Sequence, residues 1–118
     1  RTFRFACQII GFCRRYEKRG PIERGLATQL ARSGTSIGAN LEEATAGQSK
    51  ADFRAPNVRS QKEARESYYW LRLITETEPD TRVNRELATL AQEANELIAI
   101  LTALVKKARS NEDRGNAI

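Results

Sequence analysis

The residues of this chain that could carry chemistry are acids, cations and two cysteines, because histidine is absent from all 118 positions. Without histidine there is no Ser-His or Cys-His nucleophile pair, no His-ligated zinc and no Glu-x-x-His motif of di-iron bundles. Glutamates on two successive predicted helices could approach one another around a metal ion: Glu42, Glu43, Glu63 and Glu66. With no further ligands, they are more typical of ion pairs with Arg32, Lys62 and Arg65. The sequence therefore predicts no catalytic residue, no metal, no cofactor and no enzymatic activity.

The two cysteines, Cys7 and Cys13, lie in one predicted helix. Six residues of helix separate them by about 9 Å along the axis and by about 120° around it, which is too far for a disulfide. We interpret them as reduced, partly buried thiols that pack in the core.

The cations are unevenly distributed along the chain. The net charge is +5, and residues 1–20 hold six cations against a single acid, Glu17, so this segment alone carries the excess. Antiparallel helices would bring two further cations to the end of the first helix, and the predicted nucleic-acid-binding cluster is Arg14, Arg15, Lys18, Arg19, Arg82 and Arg85. The alternative is that cations at a helix C-terminus only complement the helix dipole. No basic platform rich in aromatic residues is evident, so base-specific recognition is not expected.

Four helices must position these residues. Apolar residues at three- and four-residue spacing predict helices over about 2–19, 22–46, 49–77 and 81–110, and no β-strand is indicated. The predicted buried stripes are Phe5, Ile9, Phe12, Cys13 and Tyr16; Ile22, Leu26, Leu30, Ile37, Leu41 and Ala44; Phe53, Val58, Ala64, Tyr68, Leu71 and Ile74; and Val83, Leu87, Leu90, Ala94, Leu97, Leu101, Leu104 and Ala108. Short connections between the helices favour an all-α, antiparallel, up-down-up-down four-helix bundle.

The bundle is predicted to span 1–110, followed by a flexible C-terminal tail at 111–118, which has no apolar period. Ser49 and Asp52 have the spacing of a capping box for the third helix. Pro56 lies inside that helix and would cost ~3 kcal/mol unless the helix breaks or kinks there.

Apolar residues outside the main stripes exceed what a lone bundle can bury, which favours self-association. These residues are Phe12, Tyr69, Trp70, Ile98, Ile100 and Val105. No run approaches the roughly 18 apolar residues of a membrane span, and no signal peptide is evident, so we expect a cytoplasmic protein with no membrane partner. Because the chain starts with Arg1 and has no methionine, a short native N-terminus is expected to be missing.

The second helix contains an unusual run of small residues. Gly34 and Gly38 would each cost about 1 kcal/mol relative to Ala in a helix interior, so we expect them to allow a neighbouring backbone to approach closely. A phosphate-binding loop is excluded because no strand precedes the run and its Lys-Ser/Thr pair is missing. The alternative is a kinked, tightly packed bundle helix.

Three motifs in order carry a resemblance to a known family. They are Gln29-Leu-x-Arg32-Ser-x-x-Ser36-Ile-x-x-Asn40-x-x-Glu43, Ser49-x-x-Asp52-Phe53, and Lys62-Glu-Ala-Arg-Glu66-x-x-Tyr-Trp-Leu71. From about Phe5 to Leu104, the chain resembles the four-helix bundle proteins encoded in intervening sequences of 23S rRNA genes. That family is related to the accessory variability proteins of diversity-generating retroelements.

The resemblance implies a ring-like homopentamer with a basic surface, no enzymatic activity and, in the retroelement branch, binding to a reverse transcriptase and to RNA or DNA. It also suggests structural or oligomer contacts for Arg32, Ser36, Gly38, Asn40, Glu43, Glu66 and Trp70. Two functions of different class therefore stay open. The first is a nucleic-acid-binding or ribonucleoprotein-binding homo-oligomer, and the second is a protein scaffold with no nucleic-acid role.

Overall fold

Four α-helices form an elongated bundle of 57 × 20 × 20 Å in the computed structural model, which describes residues 1–46 and 50–116. The helices are α1 (Thr2–Tyr16), α2 (Pro21–Ala46), α3 (Lys50–Thr77) and α4 (Thr81–Asn116), and a short 3-10 helix (Glu17–Arg19) follows α1. No strand occurs among the described residues. The predicted all-α four-helix bundle is confirmed.

Contacts between neighbouring helices establish the antiparallel order. On α2 and α3, Arg32 contacts Glu66 whereas Asn40 contacts Arg59, so the two sequences run in opposite directions. On α1 and α4, Arg1 contacts Glu93 and Arg15 contacts Glu86. Because α1 has only 15 residues, it covers the half of the bundle nearest the α3–α4 turn.

The helix ends follow from local chemistry. Pro21 begins α2, where its missing N–H would have had no helical partner anyway. The Oδ1 of Asp80 accepts a hydrogen bond from the N–H of Arg82 at 2.9 Å and so caps α4. The predicted capping residue Ser49 and the side chains of Asp52 and Phe53 lie outside the described part of the structure.

The core contains most of the predicted stripe residues. Every predicted residue of α1 is buried, and so are Leu87, Leu90, Ala94, Leu97 and Leu101 of the α4 heptad seam. Ile22 is a wrong prediction, since its side chain is 72% exposed. It lies five residues before the buried Ala27, and five residues turn a helix by about 140°, so Ile22 points away from the core.

Two further expectations concern α3 and α4. A break at Pro56 is wrong, because α3 continues as one helix through this residue. Pro56 and the adjacent Asn57 are buried. α4 ends at Asn116 and not near Ser110, so most of the predicted tail is helical, and its flexibility stays a prediction.

Among the described helices, α4 alone is long and apolar enough to cross a membrane by length and composition. Five of its seam residues, Leu87, Leu90, Ala94, Leu97 and Leu101, lie in the bundle core. A cytoplasmic location and the absence of a membrane partner stay predictions.

Candidate nucleic-acid interface

The six predicted cations lie at one end of the bundle, but not on one face. Arg15 contacts Glu86 on α4, and Arg19 contacts Glu78 in the turn between α3 and α4. Arg14 lines a groove between α1 and α2. Arg82 and Arg85 are exposed on the first turns of α4. The antiparallel packing therefore brings the cations to a common end and divides them between two sides of α1.

Acidic residues neutralise part of this cluster. The Nη2 of Arg19 donates to Oε1 of Glu78 at 2.8 Å, and the Glu78 side chain is only 3% exposed. This hydrogen bond lowers the pKa of Glu78, although burial acts in the opposite direction. Arg15 pairs with Glu86, so two of the six cations are engaged within the chain.

The remaining cations of the cluster are less constrained. The Nε of Arg82 lies 4.0 Å from Oδ1 of Asp80, which is a weak contact at an exposed position. Arg14, Lys18 and Arg85 make no ion pair within the described part of the chain. The sequence places three acids, Glu78, Asp80 and Glu86, beside the cations of this end.

The motif residues of α2 form one column that faces α3. Arg32 donates to Glu63 at 3.2 Å and also contacts Glu66, which confirms the expected pairing of these glutamates with Arg32. Further along, Asn40 and Glu43 both accept hydrogen bonds from Arg59, each at 3.2 Å. Arg59 was missed by the sequence reasoning.

Hydrogen bonds within α2 order the same column. The Nδ2 of Asn40 donates to the carbonyl of Ser36 at 2.8 Å, and the hydroxyl of Ser36 donates to the carbonyl of Arg32 at 2.6 Å. All these contacts lie within one chain. A role for the motif in contacts between chains stays a prediction.

Two buried serine contacts hold α2 and α3 close together, and the sequence reasoning missed them. The hydroxyl of Ser67 donates to Oγ of Ser33 at 2.9 Å, and the hydroxyl of Ser60 donates to the carbonyl of Ile37 at 2.8 Å. Ser60 and Ser67 are seven residues apart, on one face of α3, and both are fully buried. The sequence signal that could have revealed these contacts is the seven-residue spacing of two small polar residues on α3, together with the small polar Ser33 on α2.

The glycines of α2 allow α1 to approach closely. A Cβ atom at Gly34 would lie 3.0 Å from Cγ2 of Ile9, and one at Gly38 would lie 3.1 Å from Oγ1 and 3.6 Å from the carbonyl carbon of Thr2. The close approach of a backbone that we predicted occurs at Gly38, beside Thr2, whereas the neighbour of Gly34 is the side chain of Ile9. Both neighbours lie on α1 of the same chain.

Two aromatic residues extend the α2–α3 network towards solvent. The indole N–H of Trp70 donates to Oε2 of Glu66 at 3.0 Å. The ring of Tyr69 meets that of Trp70 edge to face, with centroids 5.0 Å apart and planes at 79°. Tyr69 is 49% exposed. Arg32, Glu66, Trp70 and Tyr69 therefore form a continuous chain of contacts from α2 to the outer surface of α3.

The other residues considered for chemistry, the acids and the cysteines, do not form a site among the described residues. No group of three or more potential metal ligands occurs in the part of the chain that the structure describes. Both cysteines are free, and Cys13 is buried as predicted, whereas the prediction is wrong for Cys7, which is exposed. Burial raises the pKa of the Cys13 thiol to about 11, so this thiol is protonated and inert at neutral pH.

An apolar groove runs along the outer side of α1 and α2. It has a volume of about 590 Å³, and its lining includes Phe3, Ala6, Cys7, Ile10 and Gly38. Phe3 is 73% exposed, although it is large and apolar. α1 is thus apolar both on its core side and on its outer side.

These features define an antiparallel four-helix bundle with ion-paired helices, a cationic excess and apolar outer faces, and without an assembled catalytic site among the described residues. Residues 1–103 match the family described as 23S rRNA-intervening sequence protein, and the chain belongs to this family.

The fold is also similar to a crystal structure of a protein of unknown function from the S23 ribosomal protein family of Bacteroides thetaiotaomicron. The two chains are 34% identical, with a TM-score of 0.75 over 89% of this chain and 94% of the other. No curated protein gives a significant match. Neither similarity indicates an enzymatic family, and the link to retroelement accessory proteins stays a prediction.

Proposed function

We propose that this protein is a non-enzymatic homo-oligomeric bundle that binds nucleic acid, either directly or within a ribonucleoprotein partner such as a reverse transcriptase complex. One observation carries the nucleic-acid part: among the described residues, exposed cations without an ion-pair partner outnumber exposed acids without one. These cations include Arg14, Lys18 and Arg85 at one end, Lys62, Arg65 and Arg72 on α3, and Lys106, Lys107 and Arg109 near the end of α4. Such a surface favours phosphate groups without selecting a sequence.

Apolar surface supports the assembly part of the proposal. Residues 97–105 of α4 contain no charged side chain, and Ile100 is 42% exposed. The most apolar 18-residue stretch of this helix is only 28% buried within one chain. A helix segment that is apolar on all sides is normally buried, so we expect another copy of the chain to pack against this surface.

The two apolar surfaces are different, which determines the kind of assembly. One is the α1–α2 groove around Phe3, and the other is the outer face of α4 around Ile100. If one surface of a copy packs on the other surface of the next copy, the contact is heterologous and closes into a ring or extends into a filament. A closed ring is consistent with the homopentamer that the family resemblance implies, and it would repeat the cationic surface several times.

Light scattering on the purified protein tests the assembly. We expect the wild type to have a mass several times 13.3 kDa, and Phe3→Glu or Ile100→Glu to reduce it. Ile22→Glu is the matched control, because Ile22 is 72% exposed but lies outside both surfaces. A wild-type mass near 13.3 kDa, or equal loss of mass in the control, would contradict the proposed assembly.

A protein scaffold with no nucleic-acid role is the second candidate. The neutralisation of Arg15 and Arg19 by Glu86 and Glu78 favours it, because this removes two of the six cations from the predicted cluster. A gel shift with RNA and DNA at low salt, followed by a salt titration, separates the two functions. Binding that weakens with salt supports the first candidate, and the absence of a shift supports the scaffold.

A further inference from the structure

The outer face of α3 carries cations on both sides of an exposed aromatic ring. Lys62, Arg65, Tyr69 and Arg72 follow one another at intervals of three, four and three residues, which places them on one face of the helix. All four side chains are exposed. We call these four residues the Tyr69 stripe. It spans about 15 Å along the helix axis, the length of a few nucleotides.

The cations of the Tyr69 stripe are available to a ligand. Lys62 and Arg65 form no ion pair within residues 1–46 and 50–116, and the guanidinium of Arg72 lies over the ring of Tyr68, 5.1 Å from its centroid. The acid that follows on this face is Glu76, one turn beyond Arg72. This face therefore retains its positive charge, in contrast to Arg15 and Arg19 at the end of the bundle.

The ring of Tyr69 is supported from behind. Trp70 contacts it edge to face, and the indole of Trp70 is held by Glu66, which in turn pairs with Arg32. These contacts restrict the motion of the Tyr69 side chain. Less conformational entropy is therefore lost when a base stacks on the ring. The motif residues of α2 and α3 thus position an exposed aromatic ring between unpaired cations.

We propose that the Tyr69 stripe binds single-stranded nucleic acid, with an unpaired base stacked on Tyr69 and neighbouring phosphates on Lys62, Arg65 and Arg72. This inference rests on the proposed function and assigns it a site. Aromatic rings beside cations are the usual platform for single strands, because every base has a π-face, whereas the bases of a duplex are stacked on each other. Binding through stacking and phosphates shows little sequence preference.

Fluorescence anisotropy with a labelled 20-nucleotide oligo(dT) tests the cations. The triple variant Lys62→Gln, Arg65→Gln, Arg72→Gln is compared with Lys106→Gln, Lys107→Gln, Arg109→Gln, which removes the same charge from other exposed positions. We expect the first triple variant to weaken binding at least tenfold more than the second. Equal weakening in both would mean that only net charge matters and would overturn the assignment of the site.

Substitutions of Tyr69 test the stacking separately. We expect Tyr69→Ala to weaken oligo(dT) binding roughly 5- to 100-fold, since stacking on one base contributes about 1–3 kcal/mol. Tyr69→Phe keeps the ring and should stay within about twofold of the wild type. A duplex of the same length should compete poorly, and equal competition by the duplex would overturn the stacking. Thermal melts of each variant establish that the fold is intact.

A direct signal is available because Trp70 is the only tryptophan of the chain. We expect oligo(dT) to quench the Trp70 emission of the wild type and of the Lys106, Lys107, Arg109 variant, but not that of Tyr69→Ala. If the wild type binds oligo(dT) and the Tyr69 stripe variants bind equally well, the site is wrong and the proposed function stands. If the wild type binds neither single strands nor duplexes at low salt, the proposed function fails and this inference fails with it.

Discussion

The guanidinium of Arg19 binds the carboxylate of Glu78 through both of its terminal nitrogens, with 2.8 Å between Nη2 and Oε1. Glu78 also accepts a hydrogen bond from the N–H of Asp80 at 3.0 Å. Because the Glu78 side chain is 3% exposed, these donors replace the water that an ionised carboxylate requires. The contact joins the 3-10 helix that follows α1 to the turn between α3 and α4.

Acid should weaken this contact. The pKa of Glu78 is held below its ordinary value of 4.5, chiefly by the hydrogen bond from Arg19. A lowered folded-state pKa gives stability that is present above the unfolded-state pKa and is lost as pH falls through the folded-state value. We expect Glu78→Gln to cost about 1–3 kcal/mol at pH 7 and to flatten the fall in melting temperature below about pH 4.5. Melting curves between pH 7 and pH 3 measure both effects.

The control for this experiment is Glu76→Gln, which changes an exposed carboxylate in the same turn of the chain. It should leave the pH profile of melting close to that of the wild type. Coincident melting profiles for Glu78→Gln and the wild type would show that the Arg19 contact contributes nothing to stability.

The glycines of α2 should respond differently to the same substitution. Gly38→Leu places a large side chain against Thr2, where a Cβ alone would already lie 3.1 Å from Oγ1. We expect it to lower the melting temperature, since overpacking costs roughly 1–3 kcal/mol. Gly25→Leu should be neutral or stabilising by up to about 1 kcal/mol, because a Cβ at Gly25 has no neighbour within 4 Å. Calorimetry compares the two, and equal melting temperatures would refute the close packing at Gly38.

The contact between Glu66 and Trp70 should be visible in fluorescence more than in stability. Glu66→Ala removes the acceptor of the indole N–H, so we expect a red shift of the Trp70 emission as the indole bonds to water. The stability loss should stay near or below about 1 kcal/mol, because Arg32 is half exposed. Glu63→Ala is the control, since Glu63 binds Arg32 but not Trp70. The same red shift in both variants would contradict the assigned hydrogen bond.

The predicted cation cluster can be divided by its ion pairs. Arg14→Gln with Lys18→Gln removes two cations that have no acidic partner among the described residues, and Arg15→Gln with Arg19→Gln removes two that do. We expect the first pair to reduce the salt slope of nucleic-acid binding by up to about 1.4, at roughly 0.7 for each phosphate that is no longer neutralised. The second pair should lower the melting temperature with a smaller change in slope. The reverse pattern would mean that the ion pairs open on binding.

Periodicity was sufficient to predict the core, because Phe5, Ile9 and the α4 seam depend only on which residues share a helix face. It failed at Ile22, where the residue fits the stripe by spacing but lies on the first turn, away from the core. It also failed at Pro56, where the local cost of proline predicted a break but α3 continues as one helix. Local rules therefore predicted most of the fold, and tertiary packing decided the exceptions.

The candidate site was less accessible to sequence reasoning. The pairing of Arg15 with Glu86 depends on the rotation of α1 against α4, which spacing does not give. Tyr69 and its flanking cations were overlooked because they are separated in sequence and align only on the helix surface. Tyr69 contacts Trp70, which is held by Glu66 and, through Glu66, by Arg32. These contacts involve two helices, so the sequence alone does not reveal them.

The salt dependence of wild-type binding to a 20-nucleotide oligo(dT) tests nucleic-acid binding most directly. Three unpaired cations on one Tyr69 stripe should release counterions on binding, which gives a slope of log affinity against log salt of about −2 or steeper, and steeper still if several copies contact one strand. We expect affinity at low salt that falls linearly on this plot. Undetectable binding at low salt, or binding whose strength does not change with salt, would contradict the proposed function.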